Sequence, residues 1–302
     1  MGTLSKCFAN RKAAHKILTS HLWCAFFVMV SSCVFPMIAS GQKKQIATAK
    51  ENVKKGNNLE NAEQSMCSLL KDSANRRNTK IWSVLFDALK KQYDQGNEKI
   101  YLKQKYDTAN LFNIASRMYQ QMEAFDSIDA QPDEKGRIKL TMRKENAALL
   151  NRLRPNLLSG GHYFIRKKKY ADAYRLFNQY IDAARQPLFA AYHYDEKDAN
   201  LPEASYWAVY SAYKMGDSPK TLHHTYQALK DTAHYEMMLQ YLAETYKRDT
   251  DTSRYVKTLT EGFNKYPLSL FFYSHLIDFY SQTGQWNKAL ALTDKALEAD
   301  SA

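Results

Sequence analysis

The sequence predicts an all-α protein of antiparallel helix pairs stacked into a right-handed superhelix (a solenoid), on three observations. Gly and Pro are scarce, at 10 and 7 of 302 residues, and long stretches carry neither; an all-β chain needs such residues for its turns. Small and large apolar residues recur at a fixed interval of 34 residues through the C-terminal half. With 45% hydrophobic and 25% charged residues the chain can build a core, and its mean hydropathy of -0.57 excludes a polytopic membrane protein.

Residues 1–41 read as a signal peptide. Lys6, Arg11, Lys12 and Lys16 precede an uncharged, mostly apolar run at 22–39, and no acidic residue occurs before Glu51. Ala39, Ser40 and Gly41 then supply small residues at the spacing a signal peptidase requires. Two alternatives stay open. The run approaches the roughly 20 residues of a spanning helix and can serve as a retained anchor, and Val30-Ser31-Ser32 before Cys33 is a lipidation pattern. Cys7, Cys24 and Cys33 all lie in this leader, so Cys67 is the one cysteine of the mature chain and no intramolecular disulfide is then possible. Its apolar helical surroundings, Met66, Leu69 and Leu70, predict a buried structural thiol.

Residues 42–130 form a degenerate helical region. Ala62, Met66 and Leu69 share one helical face, as do Trp82, Leu85, Phe86 and Leu89, and a long helical run covers 106–127. The clearest break in the chain is at 129–136, where Pro132 and Gly136 sit among polar residues. Residues 131–153 accordingly read as a linker and a connecting helix.

The repeat occupies 154–302. Taking Leu270 as position 1 of a unit puts Leu276, Ile277, Tyr280 and Gly284 at positions 7, 8, 11 and 15, with Ala289, Thr293 and Ala296 at 20, 24 and 27. The unit 34 residues earlier, from Glu236, supplies Leu242, Ala243, Tyr246, Leu259, Gly262 and Pro267. The next, from Pro202, supplies Ala208, Val209, Ala212, Gly216, Thr221, Thr225 and Ala228. Small residues at 8, 20 and 27 let two helices approach closely, large ones fill the gaps, and position 15 calls for positive φ. Asp217-Ser218-Pro219 places a capping side chain before a Pro at the first position of the second helix. A looser unit begins at Arg154 with Gly160, Gly161, Phe164, Tyr170, Ala173 and Phe177. It lies 48 residues before Pro202, so an insertion of 14 residues falls near 186–201. No unit can bury its apolar face alone; stacking makes the core continuous.

With this spacing the chain resembles the tetratricopeptide-repeat (TPR) superfamily, strongly over 154–302 and weakly over 62–129. The strings QKYDTAN at 104–110, FDSIDA at 125–130, ARQPLF at 184–189 and YWAVY at 206–210 make it similar to exported TPR proteins of the Bacteroidales. The resemblance implies an interaction scaffold in the periplasm or at the outer membrane of a Gram-negative cell, and no chemistry. TPR domains that clamp a C-terminal carboxylate carry Lys and Asn at positions 5 and 9. This chain has Leu158 and His162, then Tyr206 and Tyr210, at those positions.

The residues predict no enzyme, no metal and no cofactor. Phosphate loops, dinucleotide fingerprints, nucleophile elbows and H-E-x-x-H are absent from the sequence. His223 and His224 are adjacent and point to different helix sides, and His193 with Asp195 lacks a nucleophile. The predicted groove is lined by the first helix of each unit: His162 and Arg166; Tyr206, Tyr210, Tyr213 and Lys214; Gln240, Glu244, Lys247 and Arg248; Asp278 and Ser281. The three tyrosines share a face by their spacing of four and three, and either line the groove or pack against the insertion. The formal charge of +12 is uneven. Arg137, Lys139, Arg143, Lys144, Arg152, Arg154, Arg166, Lys167, Lys168 and Lys169 stand against Glu145 alone, a candidate basic patch. The leading expectation is a scaffold for a protein or peptide ligand; the alternative is an envelope glycan or anionic lipid bound through the tyrosines and the patch. Export disfavours nucleic acid. The last helix, near 287–299, carries Leu290, Leu292 and Leu297, not all of which can face its partner helix; the expectation is self-association or docking there.

Overall fold

The computed structural model describes residues 41–301, so the leader read at 1–41 lies outside the described residues except for Gly41. The described residues form helices and turns, with no strand among them. They divide into two compact units, the first ending at Gln92 and the second beginning at Tyr93.

The first unit contains α1 (residues 41–55), α2 (Leu59–Leu70), a 3-10 turn at Ser73–Asn75 and the first part of α3 (Thr79–Tyr101). Ala62 and Met66 of α2 and Ile81, Leu85 and Leu89 of α3 are fully buried, each set at helical spacing. The intervening turn is fixed by side chains. Asn75 donates to the Leu69 carbonyl (2.9 Å) and accepts from Gln42 (2.6 Å), while the Trp82 indole donates to the Arg76 carbonyl (2.8 Å). Cys67 is half-buried instead of sealed in the core, because the inward face of α2 is set by Ala62 and Met66.

The second unit follows with α4 (Thr108–Asp129) and α5 (Arg143–Arg166), then α6 (Tyr170–Asp182), α7 (Tyr194–Lys197) and α8 (Leu201–Met215). Beyond these come α9 (Ser218–His223), α10 (Thr225–Ala228), α11 (Tyr235–Arg248), α12 (Thr252–Lys265), α13 (Leu270–Gln282) and α14 (Trp286–Asp300). Helices pack against their sequence neighbours: α5 with α6, α8 with α9 and α10, α11 with α12, α13 with α14, and from one helix pair to the next α6 on α8 and α12 on α13.

Each of the four pairs turns in the same way. Position 15 has positive φ whatever its residue: Lys168 at 57°, Gly216 at 72°, Thr250 at 58° and Gly284 at 68°. The next amide always bonds back to the carbonyl of position 11: Lys169 to Phe164, Asp217 to Ala212, Asp251 to Tyr246, and Gln285 to Tyr280. This bonding satisfies a helix-end carbonyl in the manner of a Schellman turn. At Gly262, position 27 of its unit, an added Cβ would meet the Phe272 ring at 2.3 Å, so only glycine admits that ring.

Three features depart from the sequence reading. The boundary drawn between 153 and 154 falls inside α5, which runs unbroken past Pro155. The second helix expected after Gly216 is split at His224 (φ −106°) into two short pieces. There Thr225 Oγ1 donates to the Leu222 carbonyl (3.0 Å), a local bond that competes with helix continuation, and His224 Nε2 contacts Asn178 Oδ1 of α6 (2.8 Å). The linker is tied down at both ends. Asp133 accepts from the Lys135 and Arg137 amides, and Arg143 forms a two-bond pair with Asp126 at 2.7 Å.

The insertion forms a 3-10 turn at Pro187–Tyr192 and then α7, clamped by α5. The Arg154 guanidinium lies between the Tyr180 and Tyr194 rings, 3.8 Å from each centroid. It pairs with Asp198 and donates to the Tyr180 carbonyl (3.1 Å), while the Tyr194 hydroxyl donates to Asn151 (2.5 Å). Leu188, Phe189 and Tyr194 are buried with it.

Candidate partner-binding surface

The groove residues expected on α8 divide between core and surface. Tyr206 is buried, 5% exposed, stacked on His234 with centroids 4.0 Å apart. Tyr213 is half-buried and stacks on Tyr241 at 4.5 Å, with its hydroxyl donating to Glu244. Burial, then the Glu244 carboxylate, push the Tyr213 phenol up to about 12. Both therefore face α11 of the following unit. They do not pack against the insertion, which is held by Arg154 instead.

Tyr210 stays half-buried between Tyr170 (6.0 Å), Trp207 (5.5 Å) and Tyr241 (5.8 Å). Its neighbour Trp207 is also half-buried, edge-on to His162 (5.4 Å), with its indole NH donating to Glu203 (3.3 Å). Lys214 is exposed and sits over both Tyr210 (5.4 Å) and Tyr213 (5.5 Å). The accessible stripe of α8 is therefore Glu203, Trp207, Tyr210 and Lys214, spaced four, three and four. The sequence reading of Tyr206, Tyr210 and Tyr213 was rotated from this stripe by part of a turn. Trp207, His234, Tyr241 and Glu203 were missed. The signal for Trp207 was its place three residues before Tyr210 and four after Glu203.

His162 lies at the edge of this surface, edge-on to Phe177 (5.2 Å) and 3.8 Å from Glu203. Burial lowers its pKa, partly offset by Glu203. On α11, Gln240 bonds Glu236 (3.3 Å) and Glu244 takes the Tyr213 hydroxyl. Lys247 lies over Tyr255 at 5.8 Å and Arg248 reaches Ser218 at 2.9 Å, both at the C-terminal end of the helix. Arg166 is exposed at the end of α5. Asp278, exposed, and Ser281, half-buried, lie on α13 outside the aromatic cluster. Aromatic faces bracketed by Glu203 on one side and Lys214 on the other can hold a ligand through ring contacts and orient it by charge.

The structure corrects the basic patch. Arg154 is buried in the ion pair with Asp198, and Arg143 and Arg137 are paired with Asp126 and Asp133. Lys139, Lys144, Arg152, Lys167, Lys168 and Lys169 are exposed. However, Lys144 and Lys167 stand at opposite ends of α5, roughly 35 Å apart along its axis. Clustering in sequence became spacing along one long helix.

Among the described residues no group of three or more His, Cys, Asp or Glu side chains is arranged to hold a metal, and no helix is long and apolar enough to cross a membrane. The chain matches no protein-family model and no curated protein in sequence comparison.

Proposed function

We propose that this chain is an exported, TPR-like scaffold that binds an extended segment of a partner protein along α8 and catalyses no reaction. The observation that carries the reading is the half-exposed pair Trp207 and Tyr210, edge to face at 5.5 Å, with Glu203 and Lys214 at its two ends. A core needs no charged brackets, and a solvated surface rarely gathers Trp, Tyr and His over several turns. The repeat spacing and the four identical turns support winding of the helix pairs into a right-handed superhelix, and the basic leader followed by an apolar run supports export.

A protein segment is favoured over a glycan or an anionic lipid because charges of both signs frame the rings. An acidic headgroup would be repelled by Glu203 and Glu244, and the basic patch that would attract it is dispersed. Photo-crosslinking from position 210 in intact cells, followed by mass spectrometry, would identify the bound segment. The expected result is one dominant protein adduct, lost by about tenfold in Trp207→Ala with unchanged helical content. Undiminished capture by Trp207→Ala, or an adduct that is saccharide, would sink the reading. N-terminal sequencing of the same material should find a start near Gln42.

A further inference from the structure

At the last two junctions of the repeat, a large apolar side chain from the incoming first helix lies beside the small residue at position 27 of the unit before it. Met238, fully buried, shares one core with Ala228, Tyr206, Val209 and Tyr241. Thirty-four residues on, Phe272, also fully buried, presses its ring on Gly262 within the core of Leu239, Leu259 and Phe263. The next equivalent of Ala228 and Gly262 is Ala296. Beside it lies an open groove of about 410 Å³, lined by Leu268, Leu270, Tyr273, Ala296, Leu297 and Asp300 among others. Leu297 corresponds to Phe263, and it is 61% exposed where Phe263 is 3% exposed. Leu268 and Leu270, which line the groove with it, are exposed as well.

This groove is thus the third seat in a series whose first two are filled by Met238 and Phe272. Its edge is acidic: Asp294, Glu298 and Asp300 are exposed, and at helical spacing Asp294 and Glu298 flank the Leu290–Leu297 face. A second copy pairing α14 with α14 around a two-fold axis would set this acidic edge against itself. We propose that the groove beside Ala296 is a docking site for an amphipathic helix of a partner polypeptide that inserts one large apolar side chain, of the Phe or Met kind, and carries basic residues along the acidic edge. The site continues the α12–α13 interface, and it is independent of the aromatic surface on α8.

The test is a fluorescence-anisotropy titration of the full chain with a synthetic 18-residue helix. The probe has Phe and Leu four residues apart on one face and lysines on the flanks; a matched peptide replaces that Phe with Ala. The expected result is saturable binding that weakens with salt and is about tenfold weaker for the Ala peptide. Ala296→Phe, which fills the seat from within, should weaken it similarly. So should Leu297→Glu, a change at an exposed position that leaves folding intact by circular dichroism. Absence of binding, equal affinity for both peptides, or binding undisturbed in both protein variants overturns the proposal. A concentration-dependent dimer in sedimentation that disappears in Leu297→Glu also overturns it, because the seat then belongs to a second copy.

Discussion

Two tyrosine-rich regions of the second unit look alike in composition and differ in what they do. Around Arg154, the rings of Tyr180 and Tyr194 sandwich a cation that is itself buried, and their hydroxyls are taken by Asp198 and Asn151. Around α8, the rings of Trp207 and Tyr210 are half open and the cation, Lys214, rides on the outside. The first arrangement closes a loop onto a helix; the second leaves aromatic faces open to solvent. Aromatic content alone distinguishes neither, and the location of the cation distinguishes both.

The sharpest way to break this contrast is to remove the buried cation. Arg154→Ala strands Asp198 in the interior and empties the space between two rings, so stability in urea should fall by about 3–5 kcal/mol. The Arg154→Ala, Asp198→Ala pair should lose less than the sum of the single changes, which a double-mutant cycle would read. A loss under about 1 kcal/mol would mean that the insertion is held elsewhere.

Within the α8 region the same contrast recurs between neighbours. Tyr206→Ala removes a buried ring and should cost about 3 kcal/mol, whereas Tyr210→Ala should cost less than about 1 kcal/mol while impairing partner capture. Equal destabilisation by the two changes would return Tyr210 to the core.

Two buried groups outside both regions respond to pH with opposite signs. Burial depresses His224 to about 4, with Asn178 holding the imidazole. Its contribution is present above the ordinary histidine value near 6.5 and is lost as pH falls toward 4, because the unfolded chain binds the proton first. Glu123 on α4 has the opposite sign. Burial, with Asp182 and Asp126 nearby, raises it to about 8, so its contribution is full below about 4.5 and is lost as pH rises to 8. His224→Gln should flatten stability between pH 4 and 6.5 by up to roughly 3 kcal/mol, and Glu123→Gln should flatten it between 4.5 and 8 by up to roughly 5 kcal/mol. Denaturant midpoints across that range check both signs.

How much of this was legible in the sequence follows from what each feature depends on. The helix pairs and their turns are short-range: the 34-residue spacing marked them, even though Lys168 and Thr250 stand where Gly216 and Gly284 do. Those two residues take positive φ because the flanking helices impose the turn, so the repeat, not the residue, carried the signal. The candidate surface was legible to within part of a helical turn. Spacing places Tyr206, Tyr210 and Tyr213 on one face, but which edge of that face meets α11 depends on the rotation of α8 against its neighbours.

What the sequence determined by itself was helix, turn and repeat, each set by residues within a few positions of one another or by a regular interval. What only the tertiary structure decided was which charges and rings meet across the chain. Arg154 finds Asp198, forty-four residues away, because the insertion folds back onto α5. The basic stretch is spread out because one unbroken helix separates its ends. Leu292 turns into the core while Leu297 stays exposed because α13 covers only one side of α14. Periodicity fixes which residues share a face, but the face that is covered depends on packing partners distant in sequence, and burial follows from that covering.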